Sequence, residues 1–251
     1  MKKTVIALII VTSLVLGTLA IAFAQQTYHD ELILIYSFLK SSKIDKTCLC
    51  CHFIQEGTGP RNPYGVMYEN TEELGDFEEF ESFDADGDGY TNIQELKAKT
   101  YPGDFRDHPA PLKWNKCVTF FSSIESVKKT PISVCVVNGV STDLTPHGGP
   151  CYIKGGKTMV PLRIGIESLG GTVIWDGKER RIDIKKGNTL VGQMWVGKRM
   201  AKIGGKNYDL ITPPEVNAKG KTFVPVKGVG DALGATLIWV NRGKIANFVL
   251  K

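Results

Sequence analysis

The chain has 251 residues, a length that suits two small domains, with 31 lysines and arginines against 26 aspartates and glutamates. The formal net charge of +5 hides an acidic run over residues 69–88 and a basic stretch over residues 154–251. No segment after residue 23 has the ~20 consecutive apolar residues of a membrane helix, which excludes further membrane spans.

The N-terminus has the layout of a signal peptide. A basic start is followed by an apolar run over residues 5–23 and by the small residues Ala22 and Ala24. We therefore predict a removable signal peptide over residues 1–24. The alternative is an uncleaved membrane anchor, because the run is long enough to cross a bilayer. In both cases the rest of the chain is predicted to be extracytoplasmic, secreted or bound at the cell surface, and nucleic acid is not an expected partner.

Residues 25–113 are predicted to form a small helical domain. Apolar residues at helical spacing over residues 31–40 indicate a short amphipathic helix, and a second helix is expected near residues 93–99. The very acidic stretch over residues 78–83 is a candidate for a shorter helix. The tripeptide Tyr-Pro-Gly at residues 101–103 ends the second helix.

A linker is predicted over residues 114–130. It follows the proline-rich sequence DHPAPLK at residues 107–113, which favours extended backbone. Within the linker, residues 117–127 carry an apolar repeat that is compatible with a connecting helix. Their valine and phenylalanine content also allows a strand.

The helical domain contains a c-type haem motif. Cys48, Cys51 and His52 form the sequence C-x-x-C-H, in which two thiols can make thioethers to haem vinyl groups and the imidazole becomes the proximal iron ligand. The intervening Cys50 is unusual. The alternatives are a disulfide or free thiols among these cysteines, and a zinc site. Four ligands within five consecutive residues are poorly placed to close a zinc tetrahedron, which usually takes two separated pairs.

Three residues are candidates for the sixth iron position: Met67, His29 and His108. We favour Met67, because a thioether raises the reduction potential and suits electron transfer. A second histidine would lower the potential, and an open position would allow ligand binding. Each candidate also has an ordinary alternative, as a core residue for Met67 and as surface residues for the two histidines.

The stretch that begins at Asp84 fits the calcium-loop pattern D-x-D-x-D-G-x5-E in full. The predicted ligands are four carboxylates, one backbone carbonyl and one amide. In loop order they are Asp84, Asp86, Asp88, Tyr90 through its carbonyl, Asn92 and Glu95. The alternative is an acidic solvated loop, but its carboxylates would repel one another without a cation. Thr91 replaces the usual aliphatic residue at the eighth loop position, which indicates a weak structural Ca²⁺ site rather than a sensor.

These motifs occur together in one pattern. The C-x-x-C-H sequence is followed by GPRNPYG from Gly59, by the calcium loop, and by TYPGD from Thr100. The pattern resembles small exported bacterial proteins that combine a c-type haem motif with a dockerin- or thrombospondin-like EF-hand calcium loop. The resemblance covers residues 48–109.

The C-terminal half contains an internal repeat. KTMVPLRIGIESLGGTVIW at residues 157–175 aligns without a gap with KTFVPVKGVGDALGATLIW at residues 221–239. Each unit is predicted to be strand, turn, strand, a short helix that starts at Val-Pro, and a strand that ends in tryptophan. We predict a duplicated α+β module over residues 131–251, with units of about 131–190 and 191–251. Trp175 and Trp239 are expected to be core anchors.

The repeat resembles the copper amine oxidase N-terminal domain-like family. In that family a turn Asn-Gly, a Thr-x-Val-Pro-Leu-Arg helix start and a Leu-Gly-x-x-Val-x-Trp strand recur in paired units. The resemblance covers residues 131–251 and implies a non-catalytic accessory domain of exported, wall- or surface-associated proteins. It does not imply amine oxidation, because copper there needs a set of imidazoles and His147 is the only histidine after His108.

The sequence therefore predicts an α+β protein in which a small helical domain with a calcium loop is displayed on a duplicated α+β module. The expected function is electron transfer, with haem c and Ca²⁺ as cofactors and a redox partner protein. The alternative is a non-redox, calcium-binding surface protein with disulfides in place of haem, whose basic module binds an anionic cell-wall polymer. No catalytic arrangement can be assigned, so an enzyme is not expected.

Overall fold

The computed structural model describes residues 28–71, 75–125 and 130–251. It has mixed helix and sheet, with most strands in the C-terminal half and few helices. The signal peptide predicted over residues 1–24 lies outside the described residues. Within these ranges, no helix is long and apolar enough to span a membrane.

Short helices build the N-terminal half. The described part of helix α1 covers residues 28–35, α2 is Pro63–Glu69 and α3 is Asn92–Ala98. Two 3₁₀ turns, Ser37–Leu39 and Glu78–Phe80, complete it. The helix expected near residues 93–99 is therefore confirmed as α3. The acidic stretch over residues 78–83, expected as a short helix, makes a single 3₁₀ turn.

Strands dominate the chain from residue 116 onward, with two helices among them. In chain order these elements are β1 Lys116–Phe121, β2 Ile124–Glu125, β3 Thr130–Pro131, β4 Val134–Val137, β5 Val140–Asp143, β6 Tyr152–Lys154, β7 Lys157–Pro161, α4 Leu162–Ser168, β8 Gly171–Asp176, β9 Arg181–Lys186, β10 Thr189–Trp195, β11 Met200–Ile203, β12 Lys206–Asp209, β13 Glu215–Val216, β14 Thr222–Pro225, α5 Val226–Leu233, β15 Thr236–Val240 and β16 Ile245–Leu250.

Three antiparallel sheets organise these strands. The first sheet has the order β15-β16-β1-β4-β5, the second β12-β11-β10-β9-β8 and the third β13-β14-β7-β6. Strands β2 and β3 pair separately. Each of the two similar sequence segments forms a strand, a helix and a strand, namely β7-α4-β8 and β14-α5-β15. Strands β7 and β14 pair with each other in the third sheet.

The segment over residues 114–130, predicted as a linker, contains β1. This strand lies in the middle of the first sheet, between β16 and β4. Over residues 117–125, the described part of the segment that was compatible with a connecting helix or a strand, the chain forms strands. The β-branched and aromatic side chains of KCVTFF suit a strand that is buried along most of its length. The polypeptide that joins the two halves is thus part of the C-terminal sheet.

The first sheet is buried on both faces. Because side chains alternate along a strand, Val118 and Phe120 of β1 enter the C-terminal hydrophobic core, whereas Phe121 enters the N-terminal core. In the same way Phe248 of β16 faces the C-terminal core and Ile245 the N-terminal one. The two halves of the chain therefore share a hydrophobic interface instead of being joined by a free linker.

The two repeat tryptophans do not occupy the cores. Trp175 on β8 is 46 % exposed and Trp239 on β15 is 42 % exposed. The expectation that they are core anchors is wrong, because β8 and β15 are edge strands of their sheets and each tryptophan lies near the end of its strand. Val173, two residues before Trp175 but at the more covered centre of its strand, is the buried residue of that segment.

Candidate functional site

One tight turn brings together Cys48, Cys51 and His52. The backbone N–H groups of Cys51 and His52 both donate to the Cys48 carbonyl, over 3.1 and 2.9 Å. The turn follows from the local sequence, since the Thr47 side chain also accepts from the Leu49 N–H at 3.2 Å. All three residues of the predicted proximal haem site are therefore presented by one short piece of backbone.

The three cysteines of this turn differ in burial. Cys48 and Cys51 are half-buried, whereas Cys50 is 2 % exposed and belongs to the N-terminal core. A hydrogen bond with Cys51 and burial both raise the pKa of the Cys50 thiol. Burial also raises the pKa of Cys48. The unusual middle cysteine is thus a core residue, and the outer pair remains accessible for chemistry.

His52 is held as a neutral imidazole. Burial, and then the nearby Arg61 guanidinium, lower its pKa to about 4. His52 also pairs with Arg61 through an isolated backbone bridge, and Arg61 makes an ion pair of 2.9 Å with Glu69. The neutral ring is the form that binds metals. Its Nδ1 is buried and has no hydrogen-bond partner among the described residues, so the ring has unused polar capacity.

Asn62 holds the turn from the start of α2. Its side-chain amide donates to the carbonyls of Leu49 at 3.0 Å and Cys50 at 3.1 Å, and its oxygen accepts from the Gly65 N–H at 3.0 Å. It is therefore an N-cap that also organises the cysteine turn. A Cβ on Gly65 would lie 2.1 Å from the Cys51 carbonyl oxygen.

The TYPGD segment meets the same asparagine, since a Cβ on Gly103 would lie 2.4 Å from the Asn62 side chain. The sequence motifs GPRNPYG and TYPGD are thus packed around the C-x-x-C-H turn. Both motifs are visible in the sequence, but the sequence alone assigned neither of them a role. The sequence signal for the helix start is an asparagine directly before a proline, a pair that is typical of the N-cap and first positions of a helix.

The three candidates for the sixth iron position each have another local role. Met67 is fully buried, and its sulfur accepts from the Asn92 amide at 3.9 Å. The Nε2 atom of His29 lies 3.1 Å from the Ile44 carbonyl. His108 lies near Asp88, and its Nδ1 contacts the Ala110 carbonyl. Met67 is thus packed as a core residue, the ordinary alternative to its predicted role, and iron binding by its sulfur stays a prediction.

The predicted calcium loop brings its first three carboxylates together. One oxygen from each of Asp84, Asp86 and Asp88 lies within 4.8 Å of the others. The loop is folded by its own side chains, because Asp84 accepts from the N–H groups of Gly87 at 2.7 Å and Gly89 at 2.9 Å. Among the described residues, these three aspartates are the group of potential metal-binding side chains that lie close enough together to hold an ion. The side chains of the Cys48–His52 turn do not form such a group.

Several carboxylate oxygens of the loop lack a partner. Both oxygens of Glu95, which is fully buried, and one oxygen each of Asp86 and Asp88 are buried without a hydrogen-bond partner in the described chain. Burial raises the pKa of Asp84 to about 6 and that of Asp88 to about 7. Burial, and then Asp86, raises the pKa of Glu95. Buried carboxylates without partners fit a bound hard cation such as Ca²⁺.

Two further predicted calcium ligands, Asn92 and Tyr90, make hydrogen bonds within and beside the loop. Asn92 is fully buried, its oxygen accepts from the Ala85 N–H at 3.2 Å, and its amide donates to the Phe80 carbonyl at 2.7 Å. The side chain therefore ties the loop to the preceding 3₁₀ turn. Tyr90 lies in the loop as expected, and its N–H donates to Asp88 at 2.7 Å.

None of the six cysteines, all within the described ranges, is in a disulfide. Cys117 lies beside the calcium loop, and its thiol donates to the Asp86 carbonyl at 3.1 Å. Cys135 and Cys151 are buried in the C-terminal core.

A cleft of about 670 Å³ lies on the C-terminal half, around Trp239. Its wall is largely apolar and includes the half-exposed Ile153 and Ile211. Three lysines also line it: Lys157, Lys227 and Lys244. Of these, only Lys227 makes an ion pair with a described residue, Asp231 at 2.6 Å. The cleft is thus an aromatic and apolar surface with excess positive charge.

Comparison with known families gives one match. Residues 136–246 match the model of the copper amine oxidase N-terminal domain. The match leaves the C-x-x-C-H turn and the calcium loop outside it. The chain matches no curated protein and no solved structure.

Proposed function

We propose that this protein is an exported electron-transfer protein that carries one covalently attached haem c. The observation that carries the proposal is the turn that presents Cys48, Cys51 and His52 together, with two half-buried free thiols and a neutral imidazole. The burial of Cys50 supports the assignment of the outer cysteines as the attachment pair. When bound, the haem supplies a one-electron redox couple. The proposal rests on the proximal side alone, because the Met67 sulfur is buried in the core, 3.9 Å from the Asn92 amide.

In this proposal Ca²⁺ has a structural role in the same domain. Asp84, Asp86, Asp88 and Glu95 supply the carboxylates, and Tyr90 supplies its backbone carbonyl. The unpartnered, buried oxygens of Glu95 support the site more strongly than the acidic composition does. The duplicated α+β module serves as a non-catalytic accessory unit at the cell surface, and a separate redox partner protein exchanges electrons with the haem.

An absorption spectrum tests the haem proposal. The full chain is matured in a host that attaches c-type haem, then oxidised and reduced with dithionite, and finally denatured in pyridine. We expect a redox-dependent haem spectrum that survives denaturation. Cys50→Ala, the matched cysteine control, should keep it, and the double variant Cys48→Ala, Cys51→Ala should lose covalent attachment. A colourless wild-type protein from that host would contradict the proposal that this protein transfers electrons through a bound haem.

The lysine-rich cleft favours a second candidate function, binding of an anionic cell-wall polymer. Half-exposed Trp239, and Lys157, which has no ion pair with any residue that the structure describes, suit a ligand that is partly apolar and carries negative charge. Sedimentation with purified anionic wall polymer tests it. We expect binding that falls with salt, and that weakens in Trp239→Ala but not in the control Trp175→Ala, whose tryptophan lies outside the cleft. Equal loss in both variants contradicts a role for the cleft.

A further inference from the structure

Two neighbouring strands of the first sheet face the calcium loop with polar side chains. Cys117 and Thr119 lie on β1, and Asn247 lies opposite Thr119 on β16. All three are buried, and Asn247 has no exposed surface. Elsewhere these strands bury apolar residues on both faces. Buried polar side chains are retained where they have hydrogen-bond partners, so their partners indicate what this patch does.

The Asn247 amide binds the backbone of the loop. Its Nδ2 donates to the Ala85 carbonyl at 3.1 Å and lies 3.5 Å from the Asp84 carbonyl. Its Oδ1 accepts from the Thr119 hydroxyl at 2.7 Å. The hydroxyl therefore fixes which end of the amide faces the loop.

Cys117 makes the next contact along the loop. Its thiol donates to the Asp86 carbonyl at 3.1 Å. The loop and sheet are so close that a Cβ on Gly87 would lie 2.8 Å from the Cys117 sulfur and 3.1 Å from the Asn247 Cβ. Glycine at this position, with a φ of +82°, is needed both for the backbone conformation and for the approach of the sheet.

Three loop residues, Asp84, Ala85 and Asp86, present their backbone carbonyls to the sheet. Two of them, Asp84 and Asp86, are predicted calcium ligands. Asp84 and Asp86 use their carboxylates within the loop and their carbonyls toward β1 and β16. The loop is therefore held between its carboxylate cluster on one side and the C-terminal sheet on the other. A backbone shift on either side moves the other.

An independent observation points to a cation on the carboxylate side. Glu95, outside the aspartate cluster in sequence, is fully buried and neither of its oxygens has a hydrogen-bond partner in the described chain. Its electrostatic neighbours are the three loop aspartates and Asp107. Like charges buried together favour opening of the loop, and a divalent cation reverses that preference.

We propose that Ca²⁺ binding and docking of the C-terminal sheet onto the N-terminal domain are coupled, with Asn247 as the positioning residue that transmits the coupling. The inference rests on the calcium site of the proposed function and adds its consequence for the other half of the chain. By linkage, the docked sheet strengthens Ca²⁺ binding, and Ca²⁺ strengthens docking by the same factor.

Titration of the full-length protein with calcium chloride tests the proposal. Loss of the Asn247 hydrogen bonds in Asn247→Ala should weaken Ca²⁺ binding about tenfold. Thr119→Val, which keeps the side-chain shape but frees the amide orientation, should weaken it about threefold. The matched control is Asn217→Ala. Asn217 also uses its amide structurally, donating to the Gly148 carbonyl at 3.1 Å, but does so away from the loop. Its removal should leave Ca²⁺ affinity unchanged.

Hydrogen exchange supplies a second readout in the unmutated protein. Ca²⁺ should slow amide exchange in β1 and β16, whereas β9 and β10 of the second sheet serve as the internal reference. Wild-type Ca²⁺ affinity in Asn247→Ala and Thr119→Val, with unchanged exchange in β1 and β16, would overturn the coupling and leave the calcium site intact. A wild-type protein that binds no Ca²⁺ would overturn the site itself.

Discussion

At the scale of single residues, a few glycines and asparagines give the C-x-x-C-H turn its shape. Asn62 caps α2 and binds two carbonyls of the turn, and Gly65 lets the Cys51 carbonyl approach the helix. These roles depend on contacts between segments about ten residues apart. Sequence patterns predicted Cys48, Cys51 and His52 as a haem site. They did not predict the residues that hold this turn, because close approach of two backbone segments leaves no signal in the sequence except glycine itself.

Gly65→Ala tests the close approach. The added methyl would lie 2.1 Å from the Cys51 carbonyl oxygen, so the helix or the turn must shift. We expect a loss of about 1–3 kcal/mol in the free energy of unfolding, measured by urea denaturation. Gly165→Ala, also in a helix, is the control. Its methyl would meet only side chains at 3.5 Å or more, so it should be neutral or stabilising by about 0.5–1 kcal/mol. Equal stability of the two variants contradicts this account.

At the scale of elements, local patterns predicted well where a segment determines its own conformation. Helix α3 follows a loop with the calcium pattern and has a capping box formed by Thr91 and Gln94, so its limits are encoded nearby. Strand β1 was harder to predict. Its KCVTFF sequence is buried on both faces because each face packs against other parts of the chain, and this removes the alternation of apolar and exposed polar residues that identifies a strand.

Glu95→Gln tests the calcium loop as an element. With Ca²⁺ bound we expect the variant to be less stable than wild type by about 1–3 kcal/mol, because a ligand charge is lost. In chelator the variant should be the more stable of the two, since glutamine removes a buried carboxylate that has no hydrogen-bond partner in the described part of the chain. Denaturant titrations with CaCl₂ and with EGTA measure both.

The control for that reversal is Glu167→Gln, an exposed glutamate paired with Arg163 on α4. It should change stability by less than about 0.5 kcal/mol in either condition. If Glu95→Gln and wild type keep the same order with and without Ca²⁺, the carboxylate does not bind the ion.

At the scale of the whole molecule, the two halves form one packed unit. Phe121, Ile132, Val136, Val240 and Ile245, all from strands of the C-terminal half or the segments beside them, join the hydrophobic cluster of the N-terminal domain. Arg242 adds an ion pair with Glu79 and a hydrogen bond of 3.1 Å to the Asn70 carbonyl. The sequence predicted two domains and a linker, because a shared core between distant segments cannot be deduced from the composition of either one.

Truncation tests this integration. A fragment of residues 131–251, cut at the boundary that the sequence indicates, lacks β1 and separates β16 from β4. We expect it to lack cooperative unfolding, since the central strand and its ladder hydrogen bonds are missing. The control fragment, residues 114–251, keeps β1 and should unfold cooperatively at lower stability than the full chain. Thermal unfolding followed by circular dichroism distinguishes them, and a cooperative transition for residues 131–251 contradicts a central role for β1.

The measurement that tests the functional account most directly is the intact mass of the denatured full-length protein, matured in a host that attaches c-type haem. We expect the mass of the wild-type chain to increase by one haem, with Cys50→Ala showing the same increase and the double variant Cys48→Ala, Cys51→Ala showing none. A wild-type chain that carries no added mass would contradict the haem assignment and leave the calcium-stiffened surface-binding protein as the function that the structure supports.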